Sequence, residues 1–139
     1  MRVLVDINII LDVLIRREPH FSASSEVWAA IETGKIEGVL AAHSVTTLFY
    51  LMSRHANWRT ATNTVAMTMK VFSVASVDEE TLKRALAWNW KDFEDAVQMA
   101  TAVNTNADYL ISRNPRDFEQ QPVPVLQPAA LPPLLPPTD

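Results

Sequence analysis

The chain contains no cysteine, which removes disulfide frameworks, thiolate nucleophiles and cysteine-based zinc sites at the outset. Its histidines, His20, His43 and His55, form no HExxH or comparable metal-ligand spacing. Long apolar runs are missing as well. Charges or polar clusters interrupt every stretch before the ~18 residues that a membrane span requires, so no membrane association is expected. Met1 and Arg2 lead directly into an apolar run, without the basic region, apolar core and small-residue cleavage site of a secretory signal, and a cytoplasmic protein is expected. There is no basic excess: 12 Lys and Arg stand against 16 Asp and Glu, a net charge of −4. That balance argues against a generally basic surface wrapped in nucleic acid, while leaving room for a local basic rim. No internal repeat is found.

What the chain does have is 139 residues with 48% hydrophobic content, the size and composition of a single domain with a real core. The unalternating run Val3-Leu4-Val5 reads as a strand buried on both faces of a parallel sheet. Apolar residues at helical spacing follow over residues 8–17 and 21–33, with Pro19 and Gly34 as their stops. Residues 38–42 read as a second strand, and Ser44 as the N-cap of the next helix. A helix over 58–72 carries Ala61, Val65, Met69 and Phe72 on one stripe. It leads to a strand over 72–75, a helix capped by Asp78, a helix over 92–103 and a strand over 109–112. Residues 123–126 are expected to form a last edge strand.

This alternation predicts an α/β fold, a three-layer α/β/α sandwich around a mainly parallel central sheet. The domain is expected over residues 1–126, and the prolines at 128, 132, 133, 136 and 137 predict an extended Pro-rich tail over 127–139.

The acids are placed where such a fold converges. Asp6 ends the first strand, Asp92 and Asp95 open a helix, and Asp117 follows the run Tyr109-Leu110-Ile111. Strand C-termini and helix N-termini meet along one edge of an open α/β sheet, so these carboxylates can share one crevice. Clustered oxygen ligands suit a hard dication, Mg²⁺ or Mn²⁺. Asn8 is placed to orient Asp6 or hold a water. Asp92 and Asp95, three apart, lie on one side of a first helical turn, where the helix dipole favours their ionised forms.

Each acid also has a plainer reading. Asp6 and Asp92 are good N-caps, and the Asn114 to Asp117 loop beside Arg113 and Arg116 would be equally explained by an Asx turn with a surface salt bridge. For Asp92 capping is the better reading, and for Asp95 metal binding. Trp88 and Trp90 are able to stack an unpaired base, although aromatics beside helices more often belong to the core.

Three segments in order, Val3-Leu4-Val5-Asp6-Ile7-Asn8, Trp90-Lys91-Asp92-Phe93-Glu94-Asp95-Ala96 and Tyr109-Leu110-Ile111-Ser112-Arg113-Asn114 with Asp117-Phe118, give the chain a resemblance to the PIN domain, the nuclease fold of VapC-type toxins. The resemblance implies a ribonuclease dependent on Mg²⁺ or Mn²⁺, with a preference for single strands. Asp6 and Asp95 match its firmest ligands, Asp117 an acid near the site, and Asn114 a ligand through its amide or through water. It also implies an RNA substrate, a homodimer and a small antitoxin protein as partner. Arg113 and Arg116 are the expected RNA contacts.

One departure stands out. The family usually places a Glu where this chain has Thr47, in Thr47-Leu48-Phe49-Tyr50. A hydroxyl there can hold a metal-bound water but supplies no charge, so weaker metal affinity is expected. This leaves a second function open, a catalytically impaired PIN domain that binds RNA or protein. Phosphoryl transfer through an aspartyl phosphate fits less well, because Asp6 lacks a DxDxT-like context.

Overall fold

A computed structural model describes residues 1–137. Five strands, β1 (Arg2–Val5), β2 (Glu37–Ala41), β3 (Ser73–Ala75), β4 (Tyr109–Ile111) and β5 (Val125–Leu126), form one sheet in the order β3-β2-β1-β4-β5. Every pairing is parallel. Six α-helices accompany it: α1 (Ile7–Leu14), α2 (Phe21–Glu32), α3 (Ala42–His55), α4 (Trp58–Val71), α5 (Glu79–Trp88) and α6 (Phe93–Asn104).

The pleat of β1 divides the core. Val3 and Val5 pack with Ile9, Ile10, Val27, Ile31, Leu48, Met52 and Ala61 of α1 to α4. Leu4, pointing the other way, packs with Met99 and Ala102 of α6, because successive strand side chains face opposite sides. Three layers result, as the sequence predicts. A central strand with both faces covered must be apolar throughout, and Val3, Leu4 and Val5 are fully buried. Gly38 in β2 reflects the same crowding, since a Cβ there would lie 2.6 Å from Ile31 Cδ1 and 2.8 Å from Phe72 Cδ1.

Several local expectations are revised. α3 starts at Ala42 with Ala41 as its cap, so Ser44 lies inside the helix, buried, and accepts from the Gln98 side chain at 2.9 Å instead of capping. On α4 the buried stripe is Ala61, Thr64 and Thr68, while Met69 is exposed. Thr68 satisfies its hydroxyl on the Thr64 carbonyl at 2.8 Å, which lets a polar residue occupy a core-facing position. Trp88 and Trp90 stack on each other at 5.5 Å and Trp90 meets Phe118 edge-on, the packing role rather than an open platform for a base.

The Pro-rich end is not extended from its start. Pro128–Ala130 and Pro132–Leu134 form short 3₁₀ turns, and Leu131 is fully buried in the α1 to α4 core. Proline at the first position of a turn is pre-organised for it, and burying a leucine stabilises the packed arrangement by about 2 kcal/mol. The last two residues of the expected tail lie outside the described residues.

Candidate metal centre at the carboxyl edge of the sheet

Chain order fixes where a site can form. From β1 the chain moves outward through β2 and β3, then crosses to the opposite side of β1 to place β4. The crevice between the carboxyl ends of β1 and β4 is therefore the topological switch point, where open α/β sheets bind ligands. Asp6 leaves β1 at this point. Its backbone N–H donates to the Ile111 carbonyl at 3.0 Å, and its carboxylate accepts from Asn8 N–H at 3.4 Å as the cap of α1. Ser112, the residue after β4, places its hydroxyl 3.5 Å from Asp6 Oδ2. Burial, followed by the charge of Glu94, holds the Asp6 pKa above its ordinary value.

The N-terminus of α6 brings the second set of acids. Asp92 caps the helix, its Oδ1 accepting Asp95 N–H at 3.0 Å. One carboxylate oxygen from each of Asp92, Glu94 and Asp95 lies within 4.8 Å of the others. Asp95 is pushed up to about 7 by burial and then by the charges of Asp92, Glu94, Asp6 and Asp117. Asp6 and Asp117 thus both bear on Asp95 electrostatically although 111 residues separate them from each other. Asp117 sits on a 3₁₀ turn (Pro115–Asp117) and shares an open groove with Lys91, Asp92, Asp95 and Glu119.

Glu94 is part of this centre and was not singled out from the sequence. Its Oε1 accepts from Gln98 Nε2 at 3.2 Å and lies 3.3 Å from His43 Nε2. The His43 contact, foremost, holds the Glu94 pKa below its usual range despite partial burial. The available signal was the density of acids in one first turn, Asp92, Glu94 and Asp95, where every side chain projects near the helix end. Asp12 was also overlooked, although a single acid in the apolar stretch of α1, five residues before Arg17, is conspicuous. It is fully buried and accepts from Arg17 Nε and from Ser24 Oγ, both at 3.0 Å.

Other expected participants have partners of their own. Thr47 is exposed and gives its hydroxyl to the His43 carbonyl at 3.2 Å. The Asn8 side chain accepts from Arg17 Nη2 at 3.2 Å, so only its backbone N–H reaches Asp6. Asn114 is exposed, and its N–H donates to Ser112 Oγ at 3.2 Å. Arg116 is exposed on the 3₁₀ turn, whereas Arg113 turns inward to within 3.6 Å of Asp12 Oδ1.

A set of hard carboxylate oxygens, with one member raised to about 7 by burial and then by its neighbours' charge, is the kind of donor set a divalent cation binds: the repulsion among the acids is relieved by a dication. Among the described residues no helix is long and apolar enough to cross a membrane.

Similar solved structures include a toxin–antitoxin complex from Klebsiella pneumoniae (21% identity, TM-score 0.69, covering 91% of this chain and 97% of that one). VapBC-1 from nontypeable Haemophilus influenzae is 15% identical, with a TM-score of 0.72 and coverage of 92% and 98%. VapC20 from Mycobacterium tuberculosis, a toxin that cleaves the sarcin-ricin loop, is 16% identical, with a TM-score of 0.64 and coverage of 78% and 86%. At these identities the likeness is one of fold. No curated protein matches the sequence. The sequence profile of the PIN domain matches residues 2–116, a span that holds both strands of the switch point and the whole acidic helix start, and the chain therefore belongs to the PIN domain family.

Proposed function

We propose that the chain is a metal-dependent ribonuclease of the VapC toxin type, which hydrolyses phosphodiester bonds in single-stranded or structured RNA. The observation that carries this reading is the gathering of Asp92, Glu94, Asp95 and Asp117 at the start of α6 and in the open groove beside it, within a PIN domain whose β1 ends on Asp6. Acids crowded into a partly buried crevice repel one another, and a bound cation offsets that repulsion. Asp6, Asp95 and Asp117 are assigned as the acids that hold Mg²⁺ or Mn²⁺, with Asn8, Thr47, Asp92 and Asn114 around them. When bound, the ion lowers the pKa of an attacking water and offsets charge on the scissile phosphate.

The protein's own part is positioning. Ser112 and the Asn8 N–H orient the Asp6 carboxylate, and His43 with Gln98 keeps Glu94 ionised. Glu94 then adds an anionic oxygen in a site where Thr47 supplies none. No protein nucleophile is required.

Incubation with labelled single-stranded RNA tests the reading. Cleavage is expected in Mn²⁺ or Mg²⁺ and none in EDTA; equal cleavage in both removes the metal from the mechanism. The alternative of an impaired, RNA- or protein-binding PIN domain is favoured by Thr47, whose neutral hydroxyl brings no negative charge to the site. Thr47→Glu separates the two. A gain of about tenfold or more in Mn²⁺ affinity by calorimetry, together with cleavage appearing only in the variant, assigns the natural chain to the impaired class. Cleavage by the natural chain leaves it an enzyme.

The VapBC and toxin–antitoxin complexes among the similar structures support a small antitoxin as partner. A homodimer is supported by the number of exposed apolar residues on α3 and α4, namely Phe49, Tyr50, Trp58, Met67 and Met69, which a protein contact would cover. Light scattering is expected to give twice the chain mass of 15.6 kDa; a mass of one chain at micromolar concentration rejects the dimer. A ribonuclease of this kind would work in the cytoplasm, where such an RNA substrate is found.

A further inference from the structure

We propose that the groove between α2 and the 3₁₀ turn at Pro128–Ala130 takes a backbone phosphate of RNA through the guanidinium of Arg113, the residue after Ser112, whose hydroxyl contacts Asp6. The proposal rests on the nuclease reading and extends it to how substrate is held. The groove is about 180 Å³ and is lined by His20, Ala23, Ser24, Arg113, Gln127 and Pro128. Its charge follows from Asp12, one buried carboxylate facing two guanidinium groups. Arg17 Nε donates to Asp12 Oδ1 at 3.0 Å and Ser24 Oγ to Oδ2 at 3.0 Å. Arg113 Nη1 stands 3.6 Å from Oδ1, an ion pair beyond hydrogen-bond distance. One negative charge against two positive ones leaves a net positive charge at this spot, in a chain that is acidic overall.

The two arginines are not equivalent. Arg17 also donates through Nη2 to the Asn8 carbonyl and to Asn8 Oδ1, so its fork is occupied. Arg113 donates no hydrogen bond among the described residues, its buried Nε has no partner, and 23% of its side chain is open. A guanidinium held by charge alone, with its donors unused, is free to turn its planar fork onto an oxyanion, and phosphate oxygens match that geometry.

Location selects RNA over a protein carboxylate as the ligand. Arg113 directly follows Ser112, whose hydroxyl contacts Asp6, and Arg17 is tied to Asn8, whose N–H also contacts Asp6. The surplus charge is therefore joined to Asp6, one of the acids, through two separate paths. A strand with one phosphate at that centre carries further phosphates along its backbone, and the acids alone would repel them.

Binding of a fluorescein-labelled oligouridylate in EDTA, followed by anisotropy across a salt series, tests the proposal without cleavage. Arg113→Gln is expected to weaken binding about tenfold and to flatten the slope of log affinity against log salt by about 0.7. Ala23→Glu, a half-exposed helix position on the groove wall, places a carboxylate there without touching Asp12, is expected to weaken RNA binding at least as much, and decides the matter if Arg113→Gln does not fold. Absence of RNA binding by the natural chain overturns the proposal. So does affinity and salt slope unchanged in Ala23→Glu, or loss of binding to a glutamate-rich peptide with RNA binding intact. Cleavage by the natural chain in Mn²⁺ with an unchanged KM in Ala23→Glu sinks the phosphate position while leaving the nuclease reading standing.

Discussion

Asp95→Asn is expected to lower metal-dependent RNA cleavage on the order of a thousandfold, because a removed ligand forfeits several kcal/mol of charge stabilisation at the scissile phosphate. The same variant is expected to be more heat-stable than the natural chain when no metal is present. The sign follows from linkage. Asp95 has a folded pKa of about 7 against an ordinary value of 3.8, so the folded chain holds this proton more tightly than the unfolded chain. Stability of the metal-free protein must then fall as pH rises from about 4 to about 7, and the loss is complete above that range.

Asp95 is only partly buried, and solvent screening reduces the loss to about 1 kcal/mol. Asp95→Asn should therefore raise the metal-free melting temperature by roughly 3 °C at pH 8 and by nothing at pH 4. Mn²⁺ affinity of the natural chain should drop below pH 7, since the ion must displace that proton. Calorimetry and melting curves at both pH values check the set. Undiminished cleavage by Asp95→Asn removes this residue from the chemistry, and a melting temperature that is lower at pH 8 reverses the electrostatic account.

Replacing Asp12 is expected to cost more stability than any other single change near the site. Asp12→Asn leaves Arg17 and Arg113 facing each other without their shared counter-charge, and removing one partner of a buried pair costs about 3 kcal/mol. In a domain whose total stability is on the order of 10 kcal/mol, the melting temperature should fall by roughly 10 °C. The change also loosens the acidic centre. Asp12 joins α1 to α2 through Ser24 and to the segment after β4 through Arg113, and Arg17, which it holds, grips Asn8 beside Asp6. Chemical denaturation checks this: a loss under about 1 kcal/mol would show that the arginines find solvent without cost. A double-mutant cycle with Arg17→Gln should return a coupling of about 1 kcal/mol or more.

The sequence carried the architecture because each of its signals is local. The apolar run Val3 to Val5 announces a strand covered on both faces, and the N-caps Asp78 and Asp92 mark where α5 and α6 begin. The order of acids along the chain was legible too, since carboxylates that end strands or open helices have a common edge to occupy in any parallel α/β fold.

Side-chain partnerships were not legible in the same way. Ser44 has the residue type of a cap, yet it is drawn into the core because Gln98, 54 residues later, needs an acceptor there. Arg113, an expected RNA contact, also stands 3.6 Å from Asp12, 101 residues earlier, a fully buried carboxylate already bonded to Arg17 and Ser24. Leu131 lies in a segment whose prolines suggested an extended tail, and its burial depends on a gap beside α2 that no local pattern describes.

By itself, then, the sequence determined the α/β class, the central apolar strand and the set of acids able to meet at one edge, because periodicity, capping and chain order depend only on near neighbours. The tertiary structure alone decided that Glu94 joins those acids, that Thr47 spends its hydroxyl on a carbonyl, and that Asp12 gathers two arginines beside them. Those outcomes depend on which distant groups share a low-dielectric space, where an unpaired charge is too costly to leave alone.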